Sequence, residues 1–125
     1  MPTDCFNRTL RVASVQLENR PGDKASNFQK LESFIEQAAG QGVQLVVFPE
    51  CCITGYWFIR NLSVAELAAL AEPIPSGPSS QRLIALARQH RITIGAGLVE
   101  DGGHGAFYNS YLVALPDGTV HRRRN

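Results

Sequence analysis

The run Leu45-Val46-Val47-Phe48, bounded by Gly42 on one side and Pro49-Glu50 on the other, constrains the fold more than any other segment. Four large apolar residues in a row, without polar alternation, suit a strand covered on both faces, as inner strands of parallel sheets are. Parallel neighbours need crossover helices, and the flanking sequence supplies them. Upstream, residues 10–17 (Leu-Arg-Val-Ala-Ser-Val-Gln-Leu) read as a strand. Pro21-Gly22-Asp23 breaks the chain, with Asp23 as a helix N-cap. Phe28, Leu31, Ile35 and Ala38 then recur at steps of three and four, the stripe of an amphipathic helix that Gly40 and Gly42 end.

Downstream, Ser63-Val64-Ala65-Glu66 is a Ser-x-x-Glu capping box leading into Leu67, Leu70 and Ala71. The prolines of Pro73-Ile74-Pro75-Ser76-Gly77-Pro78 forbid continuation of that helix. Ser79 is expected to cap a third helix carrying Leu83, Ile84, Ala87 and His90. Residues 92–99 read as another buried strand, whose glycines permit close backbone approach. Pro116-Asp117-Gly118, between residues 108–115 and 119–122, is turn chemistry for a hairpin. The order strand, helix, strand, helix, helix, strand, strand, strand predicts an α/β domain, parallel early and antiparallel at its end. The chain leaves its last predicted strand at Arg122-Arg123-Arg124-Asn125 without a closing helix, so an incomplete domain is expected.

Composition narrows the function. An apolar share of 44% in 125 residues suits one globular core. A net charge of +1 offers nothing like a nucleic-acid-binding excess, and Arg122–Arg124 read as a solvated face. No apolar run approaches the ~18 residues of a membrane helix, and Met1 to Arg8 carry no secretory h-region. Cys5, Cys51 and Cys52 have no disulfide-framework spacing, which points to free thiols in a reducing, cytoplasmic compartment. With His90, His104 and His121 they form no Cys-x-x-Cys or His-x-His pairing, so no metal is expected. Gly95-x-Gly97 lacks the third glycine of a dinucleotide fingerprint and opens no helix, so no cofactor is expected either.

Glu50 stands at the carboxyl end of the inner strand, where open α/β sheets place their ligand crevices. Beside that apolar run its carboxylate is expected to be partly desolvated, as suits a general base; the plain alternative is a solvated loop glutamate. On extended backbone Glu50 and Cys51 would face opposite sides, with Cys52 on the side of Glu50. Both thiols are expected to pack the strand end rather than to act as nucleophiles. Tyr56 and Trp57 either line a pocket mouth or pack as core. Asn109 either orients Glu50 or substrate, or satisfies local backbone.

Val46-Val47-Phe48-Pro49-Glu50-Cys51-Cys52-Ile53-Thr54-Gly55-Tyr56 resembles the FPE…TGY segment of the nitrilase (carbon–nitrogen hydrolase) superfamily. The resemblance continues in order through Arg11 to Leu17, Asn27, Gly95 to Glu100 and Tyr108-Asn109-Ser110. It implies an N-terminal extension at 1–9 and, at 10–125, the N-terminal part of a hydrolase domain folded as an α-β-β-α sandwich. It also implies a catalytic glutamate, lysine and cysteine acting on an amide or nitrile, with Tyr56 and Asn109 as substrate-binding candidates. Glu50 matches the glutamate. Arg123 stands where the lysine would be, keeping the charge with a planar fork and a high pKa that make it a poor substitute. The family's nucleophilic cysteine lies beyond residue 125, so these residues alone are expected to be inactive. The longer form is expected to be a homo-oligomer that binds neither nucleic acid nor membrane. A non-catalytic, degenerate relative or association module is the competing reading.

Overall fold

In the computed structural model, which describes residues 8–125, the apolar run becomes the second strand of a five-stranded sheet. The strands are β1 (Val12–Ser14), β2 (Leu45–Val47), β3 (Thr93–Asp101), β4 (Phe107–Ala114) and β5 (Val120–Arg124). They lie side by side in chain order. β1, β2 and β3 pair in parallel, and β3, β4 and β5 pair antiparallel, as the spacing of helices and turns predicts. Cys5 and most of the expected extension lie outside the described residues.

The helices are α1 (Lys24–Gly40), α2 (Val64–Leu70) and α3 (Pro78–His90). Right-handed crossovers that advance one way across a sheet leave their helices on one face. Phe28, Leu31 and Ile35 of α1 and Leu83, Leu86 and Ala87 of α3 accordingly form one core with Val46, Ile94, Ala96, Leu98, Leu112 and Ala114. Each large aliphatic side chain sealed there contributes roughly 1.5–3 kcal/mol over its exposed state. No helix among the described residues is long and apolar enough to cross a membrane.

Local sequence sets most helix ends. The Asp23 side chain accepts from the Ser26 amide at 3.0 Å, and both halves of the Ser63–Glu66 capping box form. At α3 the expectation needs correcting. Gly77 is the N-cap and Pro78 opens the helix, so Ser79 already lies inside it. The Ser79 amide and hydroxyl both donate to the buried Glu72 carboxylate, at 2.7 and 2.6 Å, and Lys24 Nζ approaches Glu72 at 2.8 Å. A carboxylate seven residues upstream thus does the capping, where a helix N-terminus favours negative charge. Other elements differ as well, β3 and β5 each running two residues further than their 92–99 and 119–122 readings. β1 is shorter than the 10–17 reading, because only Val12–Ser14 meet a partner strand, and a 3-10 turn over Trp57–Asn61 had no signal of its own.

The arginine run is not simply a solvated face. Strand alternation sends Arg122 and Arg124 to one side and Arg123 to the other. Arg124 clasps the fully buried Glu100 carboxylate with two N–H groups at 3.0 Å, and Arg122 adds a third at 2.8 Å. Ser110 Oγ donates to the same carboxylate at 2.7 Å. A buried charge needs such partners, since desolvation without them costs several kcal/mol.

Candidate active site

The site lies on the sheet face turned away from α1 and α3, and it is made by an interruption in the β2–β3 ladder. Phe48 N donates to Gly95 O at 2.8 Å, and the next rung is Ile53 N to Gly97 O at 3.0 Å. Between those rungs Pro49–Cys52 bulge outward, and Glu50 stands in the bulge. The bulge can sit this close because Gly97 has no side chain: a Cβ there would collide with the backbone of Glu50 and Cys51. Cys51 takes φ +51°, a left-handed conformation uncommon for residues other than glycine. Asn27, fully buried at the start of α1, braces the segment from behind by donating to Ile53 O at 2.9 Å.

This backbone path overturns the expectation that Glu50 and Cys51 face apart, which assumed extended geometry. Asn109 Nδ2 donates to Glu50 Oε1, and Cys51 Sγ donates to Asn109 Oδ1 at 3.3 Å. Carboxylate, amide and thiol form one chain of hydrogen bonds. Asn109 is half-buried on β4, reached across the sheet through the Val99–Asn109 register. Of its sequence alternatives, contact with Glu50 is the one the structure adopts.

Glu50 itself is exposed, so the partly desolvated setting expected for it is not found within the described residues. It is not adrift in solvent, however. It lines a cleft of about 610 Å³ with Leu17, Pro21, Tyr56, Trp57 and Phe58. A second, more apolar cleft of about 390 Å³ lies against Cys51, Trp57, Val99, Phe107 and Asn109. Tyr56 lines both clefts, and its ring meets Trp57 edge to face at 5.2 Å. Trp57 is 74% exposed, which excludes the core reading for that ring.

Neither thiol is set up to ionise. Burial, and then the Glu50 charge, push the Cys51 thiol up to about 11. Burial pushes Cys52 up to about 12. A thiol this hard to ionise is a poor nucleophile near neutral pH, as the sequence reading expects of both. Tyr111, two residues along β4 from Asn109, donates its hydroxyl to Phe48 O at 2.7 Å, and burial raises its phenol to about 12. Arg123 pairs with Tyr111 across β4–β5, so alternation puts it on the site face, opposite Arg122 and Arg124. Sequence reasoning missed Tyr111 and the Glu100 cluster as supports; the alternation of arginine within β5 was the available signal for the latter.

A sequence profile described as Carbon-nitrogen hydrolase matches residues 11–125. A nitrilase of Pyrococcus abyssi is 36% identical over 115 residues, covering 92% of this chain and 42% of that protein. An (R)-stereoselective amidase of Pseudomonas sp. is 34% identical, covering 92% of this chain and 39% of that one. Among solved structures, a CN-hydrolase superfamily protein from Xanthomonas campestris superposes with a TM-score of 0.75 at 26% identity, over 93% of this chain and 40% of that chain. The chain therefore spans about two-fifths of the length of the relatives it matches.

Proposed function

The chain belongs to the carbon–nitrogen hydrolase family, and on that premise we propose that Glu50 is the general base of an amide- or nitrile-hydrolysing site. The observation that carries the reading is the placement of Glu50: out on a bulge at the sheet edge, beside a cleft, with its carboxylate held by Asn109. In the reaction, a cysteine thiol gives its proton to Glu50 and its sulfur attacks the carbonyl or cyano carbon. A cation steadies the charge that develops on the attacked group. An amide releases ammonia to leave a thioester, which water cleaves to the acid. A nitrile passes through a thioimidate and takes up two waters in all to give the same acid and ammonia. Tyr56, at the junction of the clefts, and Asn109 contact substrate. The chemistry calls for neither metal nor cofactor.

The 125 residues do not hold the whole set. Cys51 and Cys52 are sealed and hard to ionise, and Arg123 occupies the position that the family resemblance gives to lysine. These residues alone therefore do not turn over substrate. The full activity belongs to a longer cytoplasmic form, a homo-oligomer acting on small amides or nitriles. Arg123 is the observation favouring a second reading, a non-catalytic relative that keeps the scaffold for association. Reading all frames of the gene beyond codon 125 separates the two. A further strand followed by a cysteine elbow supports the hydrolase, and ammonia release by that longer product should be abolished by Glu50→Gln. If no frame encodes such a segment, or if Glu50→Gln leaves ammonia release intact, the hydrolase reading with Glu50 as base fails.

A further inference from the structure

An exposed glutamate samples several rotamers, and a general base is useful only where its oxygen is held in one place. Asn109 makes that hold, but a carboxamide has two ends of opposite character: an NH2 that attracts a carboxylate and an oxygen that repels it. Something must decide which end faces Glu50. We propose that the Cys51 thiol decides it, and that Cys51 and Asn109 together are positioning residues that fix the carboxylate of Glu50.

The chemistry of the contact is directional. Cys51 Sγ lies 3.3 Å from Asn109 Oδ1 and supplies the proton, which leaves Nδ2 turned to Glu50 Oε1. Flipping the amide would set its oxygen against the carboxylate and turn the thiol proton toward an NH2 that cannot accept it. The thiol must remain protonated to serve, and its sealed setting keeps it so at neutral pH. The left-handed turn at Cys51 and the bare surface of Gly97 bring the sulfur within reach of β4, where an extended backbone would have sent it away. Cys51 is thereby neither the nucleophile nor mere filling.

The inference rests on Glu50 being the base, but its test does not depend on turnover. In the 15N-labelled 125-residue chain at pH 7, the Asn109 side-chain NH2 protons are read by NMR. Glu50→Gln should remove the downfield displacement of the proton that meets the carboxylate. Cys51→Ala should bring the NH2 pair toward free-amide positions, and Cys51→Ser, which restores a donor, should recover the displacement. Asn109 signals unmoved by Glu50→Gln, or unmoved by Cys51→Ala in a natively folded chain, overturn the proposal. Should Cys51→Ala not fold, nuclear Overhauser contacts in the unaltered chain between the Asn109 NH2 and the Glu50 Hγ protons decide it: their presence supports the arrangement and their absence overturns it. Loss of the arrangement is thus read separately from loss of ammonia release, which alone tests the base.

Discussion

Tyr111 lays its ring over Gly95 and donates its hydroxyl to the carbonyl oxygen of Phe48 at 2.7 Å. The contact reaches from β4 across β3 to the end of β2, and it pins the start of the bulge that carries Glu50. It depends on the glycine, because a Cβ at residue 95 would stand 2.8 Å from the tyrosine oxygen. Tyr111→Phe is expected to cost about 1 kcal/mol by orphaning the carbonyl. Gly95→Ala is expected to cost about 1–3 kcal/mol by displacing the ring. Because both act through one contact, the double variant should be less destabilised than the sum, in urea unfolding of all three.

Gly97 should be the less tolerant of the two glycines. A methyl group there meets backbone atoms of Glu50 and Cys51, which cannot swing aside as a side chain can. Gly97→Ala is expected to destabilise by about 3 kcal/mol or more, at the upper end for overpacking. It should also shift the backbone resonances of residues 49–53. A variant with native stability and an undisturbed bulge would refute this account of how Glu50 is presented.

Glu100 makes the fold sensitive to acid. Burial opposes ionisation of this carboxyl, but the bonds from Arg124 and Ser110 and the charges of Arg122 and Arg124 outweigh it and hold it below the usual range. The folded chain therefore binds this proton less readily than the unfolded one, whose glutamates titrate near about 4.3. The resulting stability is complete above that value and is lost as pH falls toward the group's own lower one. Glu72, held down by Lys24 and Ser79 against its burial, acts in the same direction. Glu100→Gln should lower stability at pH 7 by about 1–3 kcal/mol and flatten the acid limb of a stability–pH profile. An unchanged limb would rule Glu100 out as its source.

The sealed thiols have the opposite sign. Their neutral forms are favoured in the fold, so their contribution is complete below the unfolded thiol value near about 8.5 and is lost as pH climbs through 11 to 12. At pH 8, iodoacetamide should modify Cys51 and Cys52 at least ~100-fold more slowly in the folded chain than in urea. Peptide mapping of the two sites checks this. Fast labelling of Cys51 in the folded state would return it to candidacy as a nucleophile.

Much of this architecture is written locally. The 3.6-residue spacing of Phe28, Leu31, Ile35 and Ala38 buries one face of α1, and the Ser63–Glu66 box begins α2, because both depend on neighbours three and four residues away. The unbroken apolar run foretold an inner strand and, with it, the sheet edge where Glu50 sits. The family followed from the order of its motifs. What needed the tertiary structure was every relationship spanning distant strands. Glu72 displaced Ser79 as the cap of α3, Glu100 engaged Arg122 and Arg124 from beneath the surface, and Asn109 reached 59 residues back to Glu50. The direction of Cys51 was misread because alternation holds only on extended backbone, and the bulge over Gly97 breaks it. Sequence fixes which side chains can bury or bond; which of them meet depends on register and on a single left-handed turn, and those are settled only when β2, β3 and β4 pack together.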